Sequence, residues 1–121
     1  MILMWFITNY CNLDCFNCAS RCTDNKELKY YTPLKEIISN IKILKEKKFI
    51  FNSIDLTGGE ALLHPQIFTI IKLLKKNFPT TNIQIYTNGL SLDHFSLLQL
   101  KQLKKYNINL NISIYPRDKY M

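Results

Sequence analysis

Four cysteines fall in one twelve-residue stretch, CNLDCFNCASRC, at Cys11, Cys15, Cys18 and Cys22. Thiolates are soft ligands, and intervals of three and then two residues let a short loop turn successive sulfurs toward one metal centre without a large closure cost. Two arrangements are open from the residues alone. All four thiolates could close around a structural zinc or an electron-transfer cluster. Alternatively, Cys11, Cys15 and Cys18 hold three irons of a four-iron cubane, which leaves one iron open to another ligand and Cys22 free. An open coordination position is the mark of a catalytic metal, a closed one of a structural metal. Zinc sites usually pair two CxxC knuckles across a longer stretch, and only Cys15 and Cys18 make such a pair here, which favours three ligands.

The chain has just three glycines. Gly58 and Gly59 stand in LTGGEALLHP and Gly89 in YTNGL, each directly after a run that reads as a strand. Adjacent glycines let backbone approach a ligand closely, and Glu60 beside them can face an ammonium group. Gly89 alone would pass as a tight turn between strand and helix. His64 reads as a residue of the turn before a helix, His94 as part of a helix's polar face, and Tyr30 and Tyr31 as packing between the cysteine loop and the first helix.

Those residues need elements to position them. Short apolar runs at Met1 to Ile7, Ser53 to Leu56, Ile83 to Tyr86 and Leu110 to Tyr115 read as buried strands. Helical spacing joins Leu34, Ile37, Ile38, Ile41 and Leu44, then Ile67, Ile70, Ile71 and Leu74, then Phe95, Leu98 and Leu103. Thr32 before Pro33 is the expected cap of the first helix, Pro65 the opening of the second, and Ser91 or Asp93 the cap of the third. Strand and helix alternate, so the expected fold is α/β: a parallel sheet of about four strands with three helices, a partial (β/α) barrel. A complete eight-stranded barrel takes about 250 residues. Residues 1–121 are therefore expected to be one domain amounting to half a barrel, a fragment or truncated product. The cysteines fall in the first strand-to-helix loop, at the end of the sheet where such folds build active sites.

With 47% hydrophobic and 21% charged residues, the chain can bury a core. The net charge of +7 raises a nucleic-acid reading. Its lysines, however, cluster at expected helix ends (Lys45, Lys47 and Lys48; Lys75 and Lys76; Lys104 and Lys105), where cations meet the negative end of the helix dipole. A dedicated nucleic-acid face is therefore not favoured. No run reaches the ~20 apolar residues of a membrane helix, and MILMWFI lacks a basic leader and cleavage site, so the expected compartment is the cytoplasm.

CxxxCxxC in the first strand-to-helix loop, together with GGE after the second strand, resembles the N-terminal part of the core domain of the radical S-adenosylmethionine (radical SAM) superfamily. The resemblance spans nearly the whole chain, about the first half of that core. It implies a TIM-barrel-like enzyme in which Cys11, Cys15 and Cys18 hold a [4Fe-4S] cluster. S-adenosylmethionine then chelates the open iron, and a reductant such as flavodoxin or ferredoxin supplies the electron. Cleavage of the sulfonium releases a 5′-deoxyadenosyl radical that takes hydrogen from a substrate the sequence does not name. No catalytic residue beyond the cluster ligands is implied. Gly58, Gly59 and Glu60 would bind the methionyl amino group, Thr87 and Asn88 would face the cofactor, and Ser113 in NISIYP would meet its ribose or carboxylate. Asn17 occupies the place of the family's usual aromatic residue, with Phe16 one position early; the backbone at Asn17 would meet the adenine edge. Tyr115 stands where many relatives carry an acid. Short bacterial members with GGE and a strand ending in YP share these features and bring no assigned reaction. The competing expectations are a truncated metal-binding module without turnover, because half a barrel leaves a radical open to solvent, and a closed four-cysteine zinc or cluster protein.

Overall fold

The structure, a computed structural model, describes residues 1–11 and 30–114. Cys15, Phe16, Asn17, Cys18, Cys22 and Tyr115 lie outside the described residues. In chain order the elements are β1 (Ile2–Thr8), α1 (Leu34–Glu46), β2 (Ser53–Gly58), a 3-10 turn (Ala61–Leu63), α2 (Ile67–Asn77), β3 (Asn82–Thr87), a second 3-10 turn (Leu90–His94), α3 (Leu97–Lys105) and β4 (Asn109–Ile112).

The strands form one open sheet in the order β1-β2-β3-β4, every neighbouring pair parallel. Consecutive parallel neighbours joined through helices are βαβ units, the expected partial (β/α) barrel. Trp5, Leu56, Ile85 and Leu110 are aligned across the four strands. With Ile7, Ile54 and Ile83 they belong to one core that also takes Ile37 and Ile41 of α1, Ile70, Ile71 and Leu74 of α2, and Leu103 of α3. The helices therefore cover one face of the sheet.

The apolar run of β1 was expected to be buried on both faces, and it is not. Ile2, Met4 and Phe6 are 63%, 55% and 56% exposed, because their alternate positions point away from the helices. In α1 the buried stripe is Ile37 and Ile41, while Ile38 lies off it and is exposed. The helix starts also differ from expectation. The residue before α1 is Pro33, with no side-chain cap from Thr32. Helix α2 begins two residues after Pro65, behind Gln66. Neither Ser91 nor Asp93 caps α3, since both belong to the second 3-10 turn, as does His94. Ser96 caps it instead: its hydroxyl accepts from Gln99 N–H while the Gln99 side chain accepts from Ser96 N–H. That later start leaves Leu98 69% exposed, so Leu103 and the half-buried Phe95 carry the contact with the core. The lysines do fall at helix ends: Lys45 in the last turn of α1, Lys75 and Lys76 of α2, Lys104 and Lys105 of α3.

Candidate functional site

The residues singled out from the sequence gather along the carboxyl edge of the sheet. Cys11 follows β1, Gly59 and Glu60 follow β2, Thr87 ends β3 with Asn88 after it, and Ser113 follows β4. That edge is where parallel α/β sheets hold ligands.

A bulge shapes the first strand's exit. Phe6 pairs with Thr57 and Thr8 with Gly58, so β1 carries one more residue than its partner, and Ile7 and Thr8 are both buried. Thr8 Oγ1 accepts from Tyr10 N–H at 3.0 Å and donates to Tyr30 O at 3.0 Å. Asn9 N–H donates to the same carbonyl at 3.3 Å, and Asn9 Oδ1 accepts from Tyr30 N–H at 2.7 Å. The residues on either side of the cysteine loop are thus held together. Cys11, half-buried, stands just past this junction.

The glycine pair presses against that exit. Gly59 N–H donates to Thr8 O at 2.9 Å and Glu60 N–H to Tyr10 O at 2.6 Å. A Cβ on Gly58 would fall 2.2 Å from Thr8 O, and one on Gly59 2.1 Å from Tyr10 O. The missing side chains make room for the chain's own backbone. Gly89 has a different reason, a left-handed φ of 80° that turns the chain out of β3.

Glu60 does not point at solvent. It is 0% exposed. Its carboxylate accepts from Thr87 Oγ1, with one contact at 2.9 Å, from Asn88 N–H at 2.9 Å and from Leu62 N–H. Burial pushes its pKa above the ordinary glutamate range, against these hydrogen bonds, which favour the ionised form. The Thr87 hydroxyl also accepts from Gly89 N–H at 3.0 Å, and Thr87 O accepts from Ser113 N–H at 2.8 Å. Asn88 Oδ1 accepts from Leu90 N–H at 3.0 Å, a local turn. A continuous hydrogen-bonded path therefore runs from the β1 exit through Glu60 to β3 and β4. Among the described residues no buried side-chain polar atom lacks a partner.

Sequence reasoning missed the part played by Tyr10 and His64. Tyr10 stacks on Tyr31 with ring centres 4.4 Å apart, and Tyr31 meets the edge of His64 at 5.4 Å. Burial and the neighbouring Tyr10 push the Tyr31 phenol above its ordinary value. Tyr30 is exposed, so of the adjacent pair only Tyr31 packs. No spacing rule marks His64, whose partner Thr32 is far away in sequence.

The sequence matches the family described as the radical SAM superfamily over residues 5–115. The chain belongs to the radical SAM superfamily. It is 31% identical over 107 residues to a GTP 3′,8-cyclase of Microcystis aeruginosa, covering 84% of this chain and 31% of that protein. It is 34% identical over 109 residues to a probable GTP 3′,8-cyclase of Methanocaldococcus jannaschii, covering 89% and 34%. Over 87 residues it is 38% identical to a 7-carboxy-7-deazaguanine synthase of Clostridium acetobutylicum, covering 70% and 37%. The chain thus spans about a third of the length of these relatives. Radical SAM enzymes use a [4Fe-4S] cluster and S-adenosylmethionine. The donor chemistry fits a cluster, since Cys11 places a soft thiol at the carboxyl edge. Among the described residues no three histidine, cysteine or acidic side chains stand close enough to hold a metal. No helix among the described residues is long and apolar enough to cross a membrane.

Proposed function

We propose that this chain is the N-terminal part of the core of a radical SAM enzyme, acting in the cytoplasm with flavodoxin or ferredoxin as reductant. Cys11, Cys15 and Cys18 hold the cluster and Cys22 stays free. When bound, the cluster and S-adenosylmethionine supply one-electron cleavage of the sulfonium and a carbon radical able to take hydrogen from a substrate. The chain's own residues bind and orient. Gly58 and Gly59 offer backbone to the methionyl group, Asn88 and Ser113 line the cofactor's far side, and Asn17 meets the adenine edge through its backbone. Glu60 joins the two glycines on the methionyl amino group and Thr87 faces the cofactor, the two held in register by their own hydrogen bond and by the Asn88 amide.

The observation that carries this reading is the hydrogen-bonded path that ties the exit toward Cys11 to the GGE loop and the ends of β3 and β4. The relatives' activities make GTP the first substrate to screen and 7-carboxy-7-deazaguanine a product to look for. Anaerobic reconstitution with iron and sulfide, then electron paramagnetic resonance of the reduced protein with and without S-adenosylmethionine, tests the reading. A [4Fe-4S] signal that shifts on adding the cofactor, is lost in Cys15→Ala and is kept in Cys22→Ala is expected. Equal loss in both variants, or bound zinc with no cluster, would overturn it.

A further inference from the structure

We infer that His64 is a positioning residue for the cysteine loop, fixing the point at which that loop returns to the sheet. The inference rests on the cluster reading above but draws on different atoms. His64 is 2% exposed and uses both ring nitrogens on backbone. Gln66 N–H donates to Nδ1 at 3.0 Å, which leaves the proton on Nε2, and Nε2–H donates to Thr32 O at 2.8 Å. Thr32 N–H in turn donates to Ile7 O at 2.9 Å, beside the bulge that leads to Cys11. On its other side the imidazole meets the edge of Tyr31, whose ring lies flat on Tyr10, the neighbour of Cys11. One side chain from the loop after β2 therefore touches the returning end of the cysteine loop directly and its departing end through Tyr31.

A buried histidine is most often only a satisfied core residue. What distinguishes this one is that its two nitrogens serve different places. Nδ1 accepts from Gln66, the residue that opens α2, two positions along the chain. Nε2 reaches Thr32, 32 positions away at the base of the cysteine loop. Folding of α2 and placement of the loop are thus divided between two atoms and can be separated by mutation. An asparagine can put its carbonyl oxygen near the place of Nδ1 and cannot reach Thr32. A glutamine can put its amide N–H near the place of Nε2 and gives up the Gln66 contact.

The test compares His64→Asn and His64→Gln in the full chain, reading thermal unfolding, iron retained against a chelator after reconstitution, and alkylation of Cys11 in the metal-free protein by peptide mass spectrometry. In His64→Asn, iron loss and Cys11 alkylation are expected to quicken about fivefold, the equivalent of one lost hydrogen bond, while its midpoint stays at or above that of His64→Gln. His64→Gln is expected to keep wild-type iron retention and wild-type Cys11 alkylation. Wild-type behaviour of His64→Asn in both assays, or equal changes in the two variants tracking their melting temperatures, would overturn the inference. Failure of the wild type itself to bind a cluster would instead strike the functional reading, and Cys11 alkylation would still decide the role of His64.

Discussion

On the covered face of the sheet, Trp5 of β1 continues across into Leu56, Ile85 and Leu110, and the helices close over them. On the opposite face the same strands present Ile2, Met4 and Phe6 and then change character. There the Ser53 hydroxyl donates to Asp55, Gln84 Nε2 donates to Ser53 Oγ at 3.4 Å, and Asn111 Nδ2 donates to Gln84 Oε1. One face is built for packing, with side chains of one kind that exclude water. The other carries an apolar strip beside a ladder of amide, hydroxyl and carboxylate groups. The difference teaches where substitution should be felt: all along the face under the helices, and on the opposite face far less at the exposed Ile2, Met4 and Phe6 than at the buried Ser53 and Asp55.

The largest expected effect tests that division directly. Ile71→Ala, on the covered face and fully buried, should lower unfolding free energy by about 2–5 kcal/mol, measured by urea denaturation. Met4→Ala on the open face should lower it by about 0.5 kcal/mol or less. Equal costs would break the comparison.

Glu60 probes the edge where the two faces end. Glu60→Ala removes the acceptor of the Thr87 hydroxyl and the Asn88 amide and should cost about 2–3 kcal/mol in the same assay. Its pH dependence has a definite sign. Because its folded-state pKa lies above the unfolded value, the stability it contributes is fully present below about pH 4.3 and is lost as pH rises through the folded value. Stability of Glu60→Gln relative to the wild type should therefore improve as pH is raised across that window and then level off. A difference that ran the other way would mean that the hydrogen bonds outweigh burial.

A small effect of opposite sign belongs to the far side of the molecule from the candidate site. Helix α1 ends with Lys48 at a left-handed φ of 57°, with Phe49 N–H donating to Leu44 O and Lys48 N–H to Lys45 O. This closing motif favours glycine. Lys48→Gly should raise the unfolding free energy by about 0.5–1 kcal/mol, read in the same urea titration, and leave cluster assembly unchanged.

Much of this arrangement was legible in the sequence because it depends on local pattern. Short apolar runs and period-3.6 spacing located four strands and three helices, and each glycine marked a strand's carboxyl end. The start of α3 was missed although Ser96 and Gln99 carry the capping signature, because Ser91 and Asp93 offered the same residue types earlier. An apolar run such as MILMWFI says that a strand forms and is silent on whether both of its faces find partners. The site divided in the same way. Its motifs were visible, yet the hydrogen-bond partners of Glu60 were hidden, because Thr87 and Asn88 come a whole βα unit later. The span from His64 to Thr32 was hidden for the same reason.

The register of the sheet also bears on the order in which the protein assembles. Ile2 pairs with Ser53, whereas Ser53 pairs with Asn82 and Gln84 with Asn109. Joining β1 to β2 closes about twice the length of chain that either later pairing closes, an added entropy cost of about 0.6 kcal/mol. Strand β1 is therefore expected to dock last, onto a nucleus of β2, β3 and β4 already condensed beneath their helices. The strand that leads into the first thiol thus arrives at a prepared surface, so the position of Cys11 is set by the closing event of folding.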